Sequence, residues 1–312
     1  MNRTAGRCSA CSLLLSAAIV VLAPSAGWGH GVVGKRFFPT TLTIEDPFVS
    51  DELSFVVEHI KGPEGKETEL EVEIQKRLSP NFSLGFGGSY RIVNSLNPDE
   101  PNTYGFSNPE ISLRYQFLRD SVRELAGTLA LNITPGGVGA RRVEALSETI
   151  LTPALQIGKG FGDLPEAAGW LKPLAVTGSL GFNVFTGESH TEELENSLEW
   201  GVTVMYSVPY LQSFVKDVGI PWPFSRLIPI VEFNGETLLT GHGSGDTTAF
   251  ANPGLIWAGK YIQLAVEAKI PLNDISGRNV GILGMIHFFL DDIAPDIFTW
   301  TPFHGVLGPT QR

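Results

Sequence analysis

Three glutamates that alternate along one short stretch are the residues best spaced to do chemistry. Glu69, Glu71 and Glu73 are separated by Leu70 and Val72, so in an extended strand their carboxylates share one face. Hard cations such as Ca²⁺ take carboxylate oxygens as ligands, and a Ca²⁺ site is one interpretation. The interpretation we favour is a solvated wall, because a strand with one wet face produces the same spacing.

Histidines and serines offer two further chemistries. His30 could bind copper through its imidazole and a free amine, since copper favours nitrogen ligands. It would need a second histidine, and the others are scattered: His59, His190, His242, His287 and His304. The pair Ser189-His190, and Ser244 with His242 and Asp246, could form hydrolytic groups. No spacing demands either arrangement, so we expect no enzyme, no metal and no cofactor.

Period-2 alternation of apolar and small or polar residues dominates the chain after residue 50 and predicts strands. Leu198, Trp200 and Val202, for example, alternate with Glu199 and Gly201. Several segments run to 11–15 residues, against about 5–6 for an ordinary strand and about 9–11 for one that crosses a membrane. The twelve predicted strands are 52–60, 67–78, 81–93, 108–118, 123–134, 149–159, 172–186, 196–208, 226–238, 249–258, 260–271 and 279–290.

These elements predict an all-β protein: a single antiparallel transmembrane β-barrel of about twelve strands in meander order. Outer-membrane barrels alternate short periplasmic turns with longer extracellular loops. The links at 79–80, 119–122 and 259 are short, and those at 94–107, 135–148, 187–195 and 240–248 are longer. The links 160–171 and 209–225 are longer than this rule expects. We interpret 209–225 as an amphipathic insertion at the periplasmic rim.

The polar faces of the predicted strands define a predicted lumen wall. Isolated charges and small residues suit a wet interior better than the packed face of a sandwich. The charged side chains expected there are Glu69, Glu71, Glu73, Arg91, Glu110, Arg114, Glu199, Glu232, Glu236, Glu267 and Lys269. Carboxylates outnumber cations in this set, so we expect a pore that favours cations. The apolar residues are expected in an outward, lipid-facing band.

Composition limits the classes of protein. Of 312 residues, 35 are glycine and 2 are cysteine, and the formal net charge is −11. The acidic balance argues against nucleic-acid binding, and two cysteines exclude a disulfide scaffold. Residues 1–29 have the positive start and apolar run of a secretory signal peptide. Its removal takes away both cysteines and two arginines, which changes the net charge to −13.

The remaining chain divides into three predicted parts. Segment 30–50 is expected to plug the lumen or lie at the periplasmic mouth, 51–290 to form the barrel, and 291–312 to form a C-terminal periplasmic extension. The last predicted strand contains Ile286-His-Phe-Phe-Leu and is followed by 22 residues. Because a signal peptide and a transmembrane β-barrel are predicted, the protein is expected in the outer membrane of a Gram-negative bacterium.

Several short stretches resemble a known family. They are the run from His30 to Phe48, Asn132-Ile-Thr-Pro-Gly-Gly, Val184-Phe-Thr-Gly, Asn252-Pro-Gly-Leu and Ala268-Lys-Ile-Pro-Leu. Together they resemble the outer-membrane β-barrel proteins grouped as transporters of the meta-pathway of phenol degradation. The resemblance implies a single-chain barrel that passes small molecules, hydrophobic or aromatic ones included. It transfers no site residue.

The function expected from the sequence is a passive outer-membrane channel or transporter for small molecules. A structural or adhesive barrel without transport is the alternative, followed by a soluble periplasmic β-protein that binds a ligand. The expected partners are outer-membrane lipid, a small-molecule solute and the barrel-assembly machinery, with no nucleic acid. The sequence leaves the oligomeric state open.

Overall fold

The computed structural model describes residues 31–62, 65–97, 99, 101–186 and 195–303. The predicted signal peptide, His30, the pair Ser189-His190 and His304 lie outside the described residues. Part of the predicted C-terminal extension, from 304 onward, also lies outside them.

A two-stranded hairpin precedes the barrel, and thirteen strand segments build the barrel itself. The hairpin is β1 (Val32–Val33) and β2 (Arg36–Phe37). The barrel segments are β3 (Glu52–Lys61), β4 (Gly65–Ser79), β5 (Phe82–Ser95), β6 (Thr103–Phe106), β7 (Glu110–Asp120), β8 (Leu125–Thr134), β9 (Thr149–Gly160), β10 (Leu174–Thr186), β11 (Ser197–Tyr206), β12 (Leu227–Leu238), β13 (Thr247–Ala258), β14 (Ile262–Pro271) and β15 (Gly281–Phe289).

The sheet closes on itself. Consecutive segments pair antiparallel, except that β6 and β7 both pair with β5, and β15 returns to pair with β3 from Ile282↔His59 to Phe289↔Glu52. Because β6 and β7 pair with the two halves of β5, they occupy one position and the barrel has twelve. Because the sheet closes, each of the twelve positions has a hydrogen-bonded neighbour on both sides within the wall. The short segment β6 pairs with β5 alone. The predicted single antiparallel twelve-stranded meander is confirmed.

One strand segment lies where the sequence predicted only a loop. β6 falls inside the 94–107 link and pairs with the outer end of β5 from Tyr90↔Phe106 to Val93↔Thr103. The Tyr90 and Phe106 rings meet edge to face with centroids 5.0 Å apart. Four residues are too few for alternation to be recognised, so this extension depends on its pairing with β5.

The outer face of the wall is apolar. Large aliphatic and aromatic side chains alternate with the inward positions on every part of the circumference and are solvent-exposed. They include Phe55, Val57, Leu70, Val72, Leu84, Phe86, Leu129, Ile157, Leu180, Phe182, Val202, Val204, Leu264, Val266 and Ile286. An outward apolar band of this kind is typical of a barrel that spans a bilayer.

The two ends of the barrel differ. At one end, tight links join β4 to β5, β7 to β8 and β13 to β14, and we call this the short-turn end. We call the opposite end the long-loop end. The short-turn end also carries the helix α1 (Val208–Tyr210) and the turns Leu211–Val215, Phe224–Arg226 and Glu166–Leu171. It carries α2 (Leu290–Ile293) and α3 (Pro295–Phe298) as well. In the part of the chain that is described, no helix is long and apolar enough to cross a membrane.

Residues 31–51, which we call the plug, enter the lumen from the short-turn end. Val33, Phe38 and Phe48 of the plug are buried against inward residues of the wall. These wall residues are Ala126, Ala175, Met205, Ile228, Ile230, Ile256 and Ala258. The apolar residues are therefore not confined to an outward band, because this half of the lumen holds a hydrophobic core.

Candidate functional site

The register of the barrel gathers the predicted lumen charges on one face. On β4, Glu69 lies opposite Arg91 of β5, and Glu73 lies opposite Gly87. On other strands, inward positions also lie opposite each other: Ser112 opposite Asn132, Gly181 opposite Glu199, and Glu199 opposite Glu236. All eleven predicted charges fall on this inward face. Side chains of a strand point alternately to its two faces. Once a strand is predicted at the right residues, the pleat alone therefore decides which of its side chains face inward.

A cavity of about 500 Å³ lies between the plug and the long-loop end. Its carboxylate lining comes from the plug and from five strands: Glu45, Asp46, Glu52, Glu71, Glu73, Glu110, Glu199 and Glu236. Arg114 is the one Lys or Arg side chain among the residues that line it. Asn132, Thr152, Ser179 and Asn234 add neutral polar groups, and Trp200, Phe250 and Met285 add apolar surface. The cavity is therefore polar and strongly acidic.

The eleven predicted residues divide into three groups. Glu71, Glu73, Glu110, Arg114, Glu199 and Glu236 line the cavity. Glu69, Arg91 and Lys269 lie on the inward face outside it. Arg91 pairs with Glu67 at 2.9 Å and Glu144 at 2.6 Å, and Lys269 pairs with Glu58 at 2.7 Å. Glu232 and Glu267 are buried beside the plug.

Sequence reasoning missed several acids of the interior, among them Glu52, Glu58, Glu45 and Asp46. Glu52 and Glu58 alternate with Leu53 and Val57 along β3, so extending the inward periodicity to this strand would have identified them. Glu45 and Asp46 lie in the plug, which has no strand periodicity to reveal which way they face. Asp46 is buried at 6% exposure and accepts hydrogen bonds from the Phe48 N–H at 3.0 Å and the Thr40 hydroxyl at 3.2 Å.

Glu45 ties the plug to three strands through its carboxylate. The Arg114 guanidinium of β7 lies 2.9 Å from it and 3.9 Å from Glu73. Asn132 of β8 donates to it at 3.2 Å, and the Gln156 amide of β9 also donates to it. Charge-assisted hydrogen bonds of this kind are roughly twice as strong as neutral ones. The carboxylate and guanidinium therefore orient each other at the boundary between plug and cavity.

Lumen side chains also satisfy the plug backbone. The Pro47 carbonyl accepts from Gln116 at 2.9 Å and from Thr128 at 2.7 Å, and the Ser50 N–H donates to Gln75 at 3.0 Å. Gln263 donates to the Thr40 carbonyl. Buried backbone groups need such partners, and here the wall supplies them with side chains, because the strands have already used their own backbone groups.

Two carboxyl groups are buried together beside the plug. Glu267 folds across Gly254, where a Cβ would lie 2.4 Å from the Glu267 Cγ, and its carboxyl group lies against that of Glu232. Within the described residues, neither Glu267 oxygen has a hydrogen-bond donor other than the Glu232 carboxyl group, and no ion pair forms with either glutamate. Burial of carboxyl groups without a cation is costly. Water that entered this layer would relieve that cost.

A buried ion pair anchors the β1–β2 hairpin at the short-turn end. Arg36 lies 3.2 Å from Glu124, donates to the Pro173 carbonyl at 2.9 Å and also donates to the Lys172 carbonyl. The Tyr210 hydroxyl donates to Glu124 at 3.0 Å, and the Arg36 guanidinium lies 3.8 Å from the Tyr210 ring centroid. Burial lowers the pKa of Arg36 against the opposing effect of Glu124, and burial together with Glu124 raises the pKa of Tyr210 to about 12.

The described residues of the other candidate chemistries make local hydrogen bonds, whereas His30 and the pair Ser189-His190 lie outside the described residues. Among the residues that are described, no three His, Cys, Asp or Glu side chains are grouped to hold a metal ion. His287 is fully buried and shares a 2.8 Å hydrogen bond with Ser54, and His59 shares one of 2.8 Å with Thr68. The Ser244 hydroxyl donates to the Leu239 carbonyl at 3.1 Å.

The fold is similar to solved outer-membrane barrels. The NanC porin is 9% identical with a TM-score of 0.50, and the KdgM porin is 11% identical with a TM-score of 0.46. In both comparisons 76% of this chain and 98% of the other are covered. The Salmonella typhi outer membrane phospholipase dimer with bound calcium is 10% identical with a TM-score of 0.40, covering 81% of this chain and 94% of its own.

The closed twelve-position sheet and the similarity to the NanC porin define the class of fold, and the chain has the fold of an outer-membrane β-barrel. No protein-family profile matches the sequence, and no curated protein matches it. Membership of the phenol meta-pathway transporters therefore stays a prediction. Channels and enzymes share barrel folds of this class, so function must be argued from the interior.

Proposed function

We propose that the protein is an outer-membrane channel for the passive passage of small solutes, with a preference for cations and a lumen closed by the plug. The observation that carries this proposal is the cavity of about 500 Å³, lined by eight carboxylates and one guanidinium, that directly contacts the plug. A space that only filled a structural barrel would not need to concentrate charge of one sign.

The acidic lining supports selection by charge. Carboxylates held close together in a low-dielectric wall attract cations and repel anions, as charged rings do in other channels. Arg114, which is paired with Glu45 and Glu73, offsets only part of this charge, because it is one cation among eight carboxylates. The resemblance to phenol-pathway transporters implies hydrophobic or aromatic solutes, whereas the lining supports solutes that carry positive charge.

The plug is suited to act as a gate. Its dry contacts come mainly from Val33, Phe38 and Phe48, and burial of one such side chain contributes roughly 1.5–3 kcal/mol. Its polar contacts could be replaced by water once the lumen is hydrated. The buried pair Glu232 and Glu267 favours hydration. The free energy that favours the closed lumen and the free energy that favours the open lumen are each a few kcal/mol. The two states can therefore interconvert reversibly.

The proposal includes a location and an orientation. Short turns face the periplasm in bacterial outer-membrane barrels, so the plug and termini belong on the periplasmic side and the acidic cavity faces outward. Residues 1–29 would direct export as a cleaved signal peptide. The lining residues, the outer-membrane lipid around the barrel and the barrel-assembly machinery are its proposed site and partners.

One observation favours a second candidate, a structural or adhesive barrel without transport. The hydrophobic core of the plug fills the short-turn half of the lumen, and its members are at most 6% exposed. A barrel that never opens would need such a seal. A soluble periplasmic β-protein, the third candidate, fits poorly with an outer face of exposed aliphatic and aromatic side chains.

Conductance of the refolded full chain in planar bilayers separates these candidates. We expect discrete closures, a cation-selective reversal potential in a salt gradient, and a continuously open state when residues 31–51 are deleted. Loss of heat-modifiable gel migration would identify a deletion variant that failed to fold. The double variant Thr43→Ala/Glu45→Ala, which keeps the chain intact, then serves in its place. Silence of both the full chain and a folded unplugged variant in every salt would overturn transport.

A further inference from the structure

Three neighbouring inward side chains of the wall present oxygen atoms to one another beside the plug. They are Glu232 of β12, Asn252 of β13 and Glu267 of β14, on three adjacent strands. Each is at most 2% exposed. Glu232 lies directly opposite Asn252, and Glu267 lies opposite Gly254. We call Glu232, Asn252 and Glu267 the oxygen triad.

The sequence Asn252-Pro253-Gly254 allows the two carboxyl groups of the triad to meet. Because β13 lies between β12 and β14, a side chain of β14 must cross β13 to reach β12. A Cβ at Gly254 would collide with the Glu267 Cγ, so glycine leaves the gap that this crossing needs. The Glu267 carboxyl group thereby lies against that of Glu232.

Acceptors outnumber donors in the triad. A carboxylate has about four lone-pair sites and donates no hydrogen bond. Glu232 accepts from the Thr43 N–H, the Thr43 hydroxyl and the Thr203 hydroxyl, which leaves it little further capacity. Among the residues that the structure describes, only the Glu232 carboxyl group offers Glu267 a partner. The acceptor capacity of Glu267 is therefore almost unused.

The Asn252 amide directs a third oxygen toward the two carboxyl groups. Its nitrogen donates to the Thr43 hydroxyl at 3.2 Å and to Asn234 at 3.0 Å. Asn234 lies two positions from Glu232 toward the long-loop end. The Asn252 Oδ1, at the opposite end of the amide, therefore points back toward Glu267. Within the described ranges this oxygen has no hydrogen-bond partner, an arrangement that a cation can satisfy.

The charge of the triad favours a divalent cation over a proton. A proton shared by Glu232 and Glu267 would leave one negative charge buried and the Asn252 Oδ1 without a partner, which is costly. A divalent cation would cancel both carboxylate charges and take all three oxygens as ligands. Lys269, two positions from Glu267 along β14, is paired with Glu58 at 2.7 Å. Ca²⁺ fits better than Mg²⁺, because it accepts bidentate carboxylates and irregular geometry.

We propose that the oxygen triad is a Ca²⁺ site at the junction of wall and plug. Water from the cavity completes the coordination, since Thr43, which contacts Glu232, also lines the cavity. The site differs from a cluster of three His, Cys, Asp or Glu side chains, which the described part of the chain does not form. The proposal departs from the sequence-based expectation of a protein without a metal, because only strand pairing brings these three residues together. It does not require conduction.

Isothermal titration calorimetry with Ca²⁺, on the refolded full chain in detergent after treatment with a chelator, tests the proposal. Glu267→Gln removes one carboxylate ligand. Its matched control, Glu199→Gln/Glu236→Gln, removes two carboxylates from the cavity and none from the triad. Asn252→Ala keeps both carboxyl groups of the triad and decides the test if Glu267→Gln does not fold. Heat-modifiable gel migration verifies the folding of each variant.

We expect one saturable Ca²⁺ site per chain, with an affinity that Glu267→Gln lowers by more than about tenfold, because Ca²⁺ affinity follows the charge of its ligands. Asn252→Ala should weaken binding several-fold, and the cavity variant should bind as tightly as the unmodified protein. Absence of saturable binding to the folded, unmodified chain would overturn the proposal, and so would unchanged affinity in the triad variants.

A loss of affinity in the cavity variant as large as that in Glu267→Gln would also overturn the proposal, because Ca²⁺ would then reside in the cavity. The outcome is independent of the proposed channel. Ca²⁺ binding at the triad of a barrel that never conducts would leave the metal site standing and refute the channel. A conducting barrel without saturable Ca²⁺ binding would do the reverse.

Discussion

Thr43 donates both its backbone N–H and its hydroxyl to the same carboxylate oxygen of Glu232, at 2.9 and 2.7 Å. The other Glu232 oxygen accepts from Thr203 of the wall at 3.1 Å. Glu232 is fully buried, so it depends on these donors while the plug is in place. The pair therefore couples plug position to the hydration of a buried charge.

Removal of the Thr43 hydroxyl should favour the open lumen. In Thr43→Val the plugged state loses a charged hydrogen bond while Glu232 stays buried, which costs about 1.5–3 kcal/mol. In the unplugged state water replaces the lost donor. We expect the ratio of open to closed dwell time in single-channel records to rise roughly tenfold to a hundredfold.

Thr152→Val is the matched control for that experiment. The Thr152 hydroxyl donates to Asn183 at 2.6 Å, a hydrogen bond between two strands of the wall that does not involve the plug. This substitution should change barrel stability and leave the dwell-time ratio near that of the unmodified protein. Equal gating by the two variants would show that the Thr43 contact does not control the plug.

Charge selectivity should depend on the acids that line the cavity. Glu199 and Glu236 lie opposite each other and both accept from Asn183, at 2.7 and 3.5 Å. The variant Glu199→Gln/Glu236→Gln should lower the cation-to-anion permeability ratio several-fold, measured as reversal potential at about 0.05 M salt. The effect should fade near 1 M, where the screening length falls to about 3 Å.

Asp274→Asn is the control for selectivity. Asp274 forms an exposed ion pair with Arg278 at 3.1 Å outside the cavity. Its neutralisation should leave the permeability ratio unchanged. A selectivity loss as large as that of the cavity variant would assign selectivity to the loops.

Plug closure should strengthen at mildly acidic pH. Asp46 belongs to the plug and not to a membrane-spanning strand, and burial raises its pKa to about 6 from an ordinary value of 3.8, against the opposing charge of Arg114. The plugged state therefore holds the proton more tightly than a plug in water. Its added stability is complete below about pH 4 and is lost as pH rises through about 6.

We expect the open fraction to rise by up to about tenfold between pH 5 and pH 7. In Asp46→Asn, the amide oxygen can still accept from the Phe48 N–H. The open fraction of this variant should not depend on pH, and its lumen should stay closed at pH 5 and at pH 7. Single-channel recordings at constant ionic strength provide the measurement. An unmodified protein with the same open fraction at pH 5 and pH 7 would contradict the proposed role of Asp46.

The buried pair of Arg36 and Glu124 should matter for stability. Their side chains are 0% and 4% exposed, and removal of one partner of a buried pair costs about 3–5 kcal/mol. Arg36→Met should therefore lower the midpoint of denaturant unfolding clearly, and the double variant Arg36→Met/Glu124→Gln should recover part of the loss. Arg278→Met, in an ion pair exposed on both sides, should shift stability by less than about 0.5 kcal/mol. Equal effects at the two arginines would contradict a specific role for the buried pair.

The sequence by itself determined the strands and the faces of the wall. The prediction of 226–238 matches β12 at Leu227–Leu238, and that of 172–186 matches β10 at Leu174–Thr186. Alternation is a local property, because each residue's face follows from its neighbours in the pleat. The same property is why Glu199 and Glu236, far apart along the chain, could both be assigned to the interior.

The tertiary structure alone decided what fills that interior. Thr43 and Glu232 are separated by 189 positions, and the plug that joins them has no periodicity to reveal its direction. Alternation distinguishes two faces of a strand but cannot tell a water-filled lumen from one packed with Phe38 and Ile230. That difference arises only when the wall closes and the plug enters it, because buried area and paired charge depend on contacts between segments distant in sequence.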